Sequence, residues 1–273
     1  MIPARVIEGH EEAALIADIR RRIPLLPKVG DLARWEKGWA ENWEAYSQSG
    51  DPADLRPKYI RPSQPMRLHG RFVQPVNEDA EWEWYDAFRA SLFVKWLHGC
   101  KSIWEFGSGS GHNLAWLRNL NSQPDYGLSF PTNLVGLDWS WAAVKIADAI
   151  DTGRRFDFYN PVLPNFPAQT GVLTIGALEQ TGARSWLPFM EELLLCKPFV
   201  CVHVEPIVEW YAPANPVDRT AIEVHEAKGF WVGFWEWCRA RRREGKIEIL
   251  EAKRTGVGSL MIEGYSVIVW RPA

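Results

Sequence analysis

At 273 residues the chain is long enough to bury a substantial core as one large domain with an elaboration. Hydrophobic residues make up 47% and charged residues 24%, which excludes a disordered chain, and no run reaches the roughly 18 apolar residues of a membrane span. A formal charge of −3 supplies no basic footprint for nucleic acid or an anionic membrane, so neither is expected as a partner.

The N-terminus carries Glu8, Glu11 and Glu12 where a signal peptide would be apolar. Cys100, Cys196, Cys201 and Cys238 are widely spaced and form no CxxC pair. They read as free, buried thiols in a reducing compartment, and a cytoplasmic location is expected. Residues 11–22 pattern as a short helix stopped by Pro24 and Pro27. Its Arg20-Arg21-Arg22 run, like Arg241-Arg242-Arg243 later, suits the C-terminal end of a helix dipole. Over 32–46, Trp35, Trp39 and Trp43 recur every fourth residue and share one helix face. That face either docks on the core as a cap or forms an aromatic wall beside a substrate pocket. Residues 48–78 are rich in Pro, Ser, Gly and Arg and read as a loop or linker. Arg61, Arg67, His69 and Arg71 within it are either solvated or within reach of an anionic substrate. Residues 1–80 are therefore expected to be an N-terminal helical cap with a Pro/Arg-rich linker, followed by a main domain over 81–273.

Residues 81–97 pattern as an amphipathic helix. Short apolar runs then alternate with helical stretches. Strands are expected at 102–106, 133–138, 155–159, 172–177 and 199–205, with helices at 111–120, 141–150 and 185–196. Such alternation implies right-handed crossovers and a parallel sheet. Residues 221–243 are mostly helical. Strands at 246–253 and 265–271 follow with no helix between them, which permits an antiparallel pair. The expected fold is α/β: a Rossmann-like three-layer sandwich with a mostly parallel seven-stranded sheet and one antiparallel strand near its edge.

The chemistry-bearing segments lie at strand ends. In Glu105-Phe106-Gly107-Ser108-Gly109-Ser110-Gly111, a strand runs into glycines that open a helix. Glycines there permit a tight turn and close approach of a ligand. The spacing is GxGxG rather than the GxGxxG of dinucleotide binding, and a carboxylate two positions before the first glycine would repel a pyrophosphate. It suits a ligand with a positive amino group. The next strand ends in Asp138, placed to accept from ribose hydroxyls, with Trp139 offering a flat face to adenine. The stretch 121–132 ahead of it reads as a loop insertion. Asp157 and Phe158 close the third strand, where a carboxylate and the following N–H match the edge of adenine.

Taken in order, EFGSGSG, LVGLDWS, FDFYN and VLTIGALEQ resemble the motif series of class I S-adenosylmethionine-dependent methyltransferases, over residues 101–271. The resemblance implies S-adenosylmethionine as cofactor, lined by Glu105, Gly107, Ser108, Gly109, Asp138, Trp139, Asp157 and Phe158. Gly176 and Ala177, after the fourth strand, would meet its methionine part.

Acceptor-side groups should come from strand ends on the same rim. Glu205 and Glu179 are the leading candidates for base or acceptor anchor. His225 on the following helix is the third, and His112 beside the glycines is a further contact candidate. His203 sits deeper in its strand and reads as a core histidine. The set His203, Glu205, Glu209 and His225 lacks any recognised metal-ligand spacing, and no metal is expected. The expected activity is methylation, on oxygen or nitrogen, of a small or medium polar acceptor such as a sugar or natural-product precursor. The abundance of indoles for stacking favours that class. Alternatives are a protein or peptide methyltransferase, and a catalytically silent scaffold subunit of the same fold. A nicotinamide dehydrogenase is disfavoured by the glycine spacing and Glu105.

Overall fold

The computed structural model describes residues 2–121, 131 and 133–273. The loop insertion expected over 121–132 lies, apart from 121 and 131, outside the described residues.

A seven-stranded sheet forms the centre. Its strands are β4 (Ser102–Phe106), β5 (Asn133–Asp138), β6 (Thr152–Arg155), β7 (Thr170–Ile175), β8 (Val200–Glu205), β9 (Ile247–Lys253) and β11 (Ser266–Pro272). They lie in the order β6-β5-β4-β7-β8-β11-β9. β4 through β8 pair in parallel, whereas β11 runs antiparallel between β8 and β9, one place in from the edge. Alternation along each strand feeds two cores. On β4, Ile103 faces one core and Trp104 and Phe106 the other; on β8, Val202 and Cys201 divide the same way. The first core is covered by α3 (Ala80–Trp96) and α4 (His112–Asn121), through Leu92, Phe93, Leu114 and Leu117. The second is covered by α6 (Leu187–Leu195) and α8 (Phe234–Arg243), through Phe189, Leu193 and Trp237. The result is the three-layer sandwich expected from the alternation. No described helix is long and apolar enough to cross a membrane.

The N-terminal region departs from expectation. Besides α1 (Gly9–Arg22) and α2 (Leu32–Ser49), it contains β1 (Ala4–Ile7), β2 (Met66–Leu68) and β3 (Arg71–Pro75). These pair antiparallel with the short β10 (Val257–Gly258) as a second sheet, β1-β3-β2-β10. The stretch read as linker therefore holds a β-hairpin. Its two-residue loop, His69-Gly70, has φ of 49° and 75°, the paired positive values of a type I′ turn. Arg67 is buried on this hairpin and is structural, His69 forms the turn, and Arg71 lies on the surface 3.8 Å from Glu8.

The third strand of the main sheet also differs. β6 spans Thr152–Arg155 rather than 155–159, so Phe156 and Phe158 are buried beyond the strand end, not within it. The remaining elements are α5 (Trp141–Ile150) and α7 (Pro216–Lys228). Three of the cysteines are buried and Cys196 is half-buried; all are free.

Candidate functional site

The carboxyl ends of β4, β5 and β7 converge on the glycine loop, where ligands of open parallel sheets bind. The Gly107 and Ser108 amides donate to Leu137 O at 2.7 and 3.1 Å, tying the loop to the tip of β5. Gly107 has φ of 75°, and a Cβ there would stand 2.4 Å from Ala177 Cβ. At Gly109, φ is 52° and a Cβ would stand 2.8 Å from Trp39 Cζ2. Only glycine fits either place.

Two buried carboxyls face this loop. Asp138 accepts from the Ser140 amide at 2.8 Å and from the Gly109 amide at 2.9 Å, one bond to each oxygen. Burial pushes it up to about 6. Glu105 is 1% exposed. Its Oε1 accepts from Asn113 Nδ2 at 2.6 Å, while Oε2 has no partner. Burial raises this carboxyl to about 8. Asn113 is in turn oriented by Tyr85 Oη at 3.2 Å and Arg89 Nη1 at 3.1 Å. A buried oxygen without a partner beside a cavity is unstable until a donor arrives. Ser108 Oγ is a second such atom.

A cavity opens over these groups. Its wall includes Glu105, Gly107, Ser108, Gly109, Asp138, Trp139, Phe158, Gly176 and Ala177. Nine of the ten residues expected at the cofactor thus share one cavity. Asp157 does not: it is exposed, and its carboxylate accepts from the Tyr159 amide at 2.8 Å and Asn160 Nδ2 at 3.0 Å. With β6 ending at Arg155, Asp157 serves a turn rather than a strand tip.

The cap supplies groups that no motif flagged. Trp35 and Trp39 stack at 5.4 Å and, with Pro57 and Tyr59, roof the cavity. Two of the three indoles on that face of α2 thus line the cavity, while Trp43 packs with Leu55, Ala115 and Ile146. His112 also lines the cavity, with Ser110 and Asn113. Burial and the Arg89 charge lower the His112 pKa well below the usual histidine range.

A second cavity of about 300 Å³ adjoins the first. Trp35, Tyr59, Ile175, Gly176 and Gln180 line both. Glu179 lines the second, with Oε1 accepting from Gln180 Nε2 at 2.8 Å and Oε2 unpartnered. Glu205 lies behind it, fully buried, lines neither cavity, and accepts from the Ala177 and Leu178 amides at 3.1 to 3.2 Å. Burial and the Glu179 charge hold Glu205 well above the usual carboxyl range. His225 lines neither cavity; it is buried with Nε2 2.5 Å from Trp231 O. His203 sits in the core between Thr174 Oγ1 at 2.9 Å and Trp270 Nε1 at 2.9 Å.

Neither a family model nor a curated protein sequence matches the chain. Solved structures do. The small RNA methyltransferase HEN1 aligns with a TM-score of 0.50 and 14% identity over 71% of this chain. This chain spans 26% of the HEN1 chain. A SAM-dependent methyltransferase from Aquifex aeolicus aligns with a TM-score of 0.47 and 13% identity, covering 82% of this chain and 99% of that one. The N,N-8-amino-8-demethyl-D-riboflavin dimethyltransferase RosA from Streptomyces davawensis aligns with a TM-score of 0.42 and 14% identity, covering 86% of this chain and 69% of that one. With the reversed β11, the likeness to HEN1 establishes that this chain has the class I methyltransferase fold.

Proposed function

We propose that the chain is an S-adenosylmethionine-dependent methyltransferase of a small or medium polar acceptor, methylating oxygen or nitrogen on a sugar or natural-product type of molecule. The observation that carries this reading is Glu105 Oε2, a buried carboxyl oxygen without a partner under a glycine loop. An α-amino group satisfies it, and a pyrophosphate does not. The first cavity contains two buried carboxyls and, among the described residues, no lysine or arginine, which suits a cationic ligand. Asp138 keeps lone pairs for ribose hydroxyls. Trp139 and Phe158 offer apolar faces to adenine, and the loop at Gly176 and Ala177 faces the methionine end.

The bound cofactor supplies an electrophilic methyl on a positively charged sulfur, with a neutral thioether as leaving group. The protein's share is positioning and exclusion of water. Trp35 and Trp39 cover the glycine loop. Tyr59 and Gln180, at the junction of the two cavities, orient the acceptor. Glu179 is the base candidate, since it lines the acceptor cavity and Glu205 does not. Glu205 is a positioning residue: it stays protonated behind Glu179 and braces the Ala177–Leu178 amides.

Calorimetric titration with S-adenosylmethionine, S-adenosylhomocysteine and NAD tests the reading. Both sulfur ligands are expected to bind, and Asp138→Ala to weaken them about tenfold or more. Binding of NAD alone overturns the proposal, and unchanged affinity in the variant removes the ribose role.

A further inference from the structure

The two adjoining cavities differ in the sign of the ionisable groups that line them. Among the described residues, the first has carboxyls and no cation; the second is lined by Arg22, Arg34, Arg61 and Lys228 against the two carboxyls Glu81 and Glu179. The chain as a whole is slightly acidic, so this concentration of cations is local. It is also unspent. Among the described residues, the Arg34 and Arg61 guanidiniums meet no carboxylate and donate no hydrogen bond. Among the described residues, Lys228 Nζ donates to Pro27 O at 3.0 Å and lies 5.1 Å over the Phe230 ring, with no carboxylate paired to it. Arg22 reaches Asp18 only at 3.4 Å. Of the two acids, Glu81 is already committed, accepting from Tyr265 Oη and Gln64 Nε2 at 2.8 Å each. Burial raises its pKa and favours its neutral form. Burial and the Arg34 charge lower the Lys228 pKa, against an opposing pull from the Glu179 charge. The remaining wall is aromatic, with Trp35 roofed by the Arg34 guanidinium at 5.5 Å, and Tyr59, Phe230 and Tyr265 around it.

We propose that the second cavity binds an acceptor that carries an oxyanion, carboxylate or phosphate, next to a flat ring. Arg34, Arg61 and Lys228 are the anion contacts, and the ring lies against Trp35 and Tyr59. A volume of about 300 Å³ suits a single small molecule rather than a protein segment. Charge then sorts the two ligands: the cationic cofactor is excluded from the acceptor cavity and the anionic acceptor from the carboxyl-lined one. The cavity's role as acceptor site rests on the proposed methyltransferase activity; its preference for an anion does not.

The test uses the full chain and intrinsic tryptophan fluorescence, with 4-hydroxybenzoate and phenyl phosphate as anionic probes and 4-hydroxybenzamide and benzyl alcohol as neutral ones. At least one anionic probe is expected to bind about tenfold more tightly than its neutral counterpart, and to weaken as salt is raised. The benzoate and phosphate arms decide which oxyanion the site prefers. Arg61 is exposed, so Arg61→Gln should fold normally; it and Lys228→Gln are each expected to cost the anionic probe about fivefold or more while leaving S-adenosylhomocysteine affinity unchanged. Equal binding of anionic and neutral probes, no binding of either anion at millimolar concentration, or indifference to both variants overturns the proposal. Anion preference without any S-adenosylhomocysteine binding removes the methyltransferase reading and leaves the anion site standing.

Discussion

Glu105 is where sequence, burial and ligand chemistry meet in a single atom. Its carboxyl is raised to about 8 in the folded chain, against about 4.3 for an unhindered glutamate. The folded state therefore holds a proton that the unfolded state gives up. Its stabilising contribution is complete below about pH 4 and is lost as pH climbs towards 8. Glu105→Gln removes that loss. Urea denaturation of the ligand-free protein should show the variant a few kcal/mol more stable at about pH 8 and nearly unchanged at about pH 4. Its affinity for S-adenosylmethionine should fall, because the amino group loses its carboxylate. Equal stability of both proteins at pH 8 would mean that water reaches Oε2. The site residues legible in the sequence are those whose role is local: the glycines, Glu105 and Asp138 follow from one strand end and the loop beside it. Asp157 misleads because Phe156 and Phe158 extend the apolar pattern past the last paired residue, Arg155, and a two-residue shift moves a strand-tip acid into a turn. Gln180 closes the fourth motif stretch, VLTIGALEQ, whereas Tyr59 carries no local signal and tertiary packing alone brings it to the junction.

Helix α2 is the element that closes the site, and its spacing of indoles is legible in the sequence while the partners of its faces are not. Asp31 caps it, accepting from the Arg34 amide at 3.0 Å, and Gly50 ends it in the left-handed region with φ of 68°. What docks it is Glu36, which accepts from the Trp141 amide at 2.8 Å and the Ala142 amide at 3.1 Å. Those are two of the unpaired N–H groups at the start of α5, so a carboxylate from another helix caps it and meets the positive end of its dipole. Asn42, 1% exposed, binds Asp54 O at 2.6 Å and Arg56 O at 3.2 Å, which hangs the segment leading to Tyr59 from the same helix. Glu36→Ala should cost about 1 kcal/mol in global stability. Its larger effect should be local: hydrogen exchange in α2 should accelerate relative to the central strands, with weaker cofactor binding as the Trp35–Trp39 roof loosens. Unchanged exchange in α2 would assign its docking to the Trp43 cluster instead.

Across the whole molecule, the class I sheet is readable because its strands are buried on both faces and alternate with helices, whereas the N-terminal sheet is not, because its strands are three to five residues long and end on β10, far along the chain. That sheet makes the cap and the second cavity one structure. The link is Arg67 on β2, 2% exposed, whose guanidinium donates to Val217 O at 2.5 Å, Thr220 Oγ1 at 2.9 Å, Met261 O at 3.0 Å and Leu260 O at 3.1 Å. One side chain thus joins the cap hairpin, the start of α7 and the 260–261 loop, and that loop lines the second cavity. A methionine matches the bulk of arginine but donates nothing, so Arg67→Met leaves the Leu260 and Met261 carbonyls and Thr220 Oγ1 short of a donor, while Val217 O keeps the Thr220 hydroxyl at 2.8 Å. The loss in stability should be about 3 kcal/mol or more, read by urea denaturation. The first cavity is built on β4, β5 and β7 and shares none of these bonds, so on the proposed function S-adenosylhomocysteine should bind the variant within about twofold of the wild type while anionic probes of the second cavity lose about tenfold. Parallel loss of both ligands would instead mean that the cap and the central sheet respond as one cooperative unit.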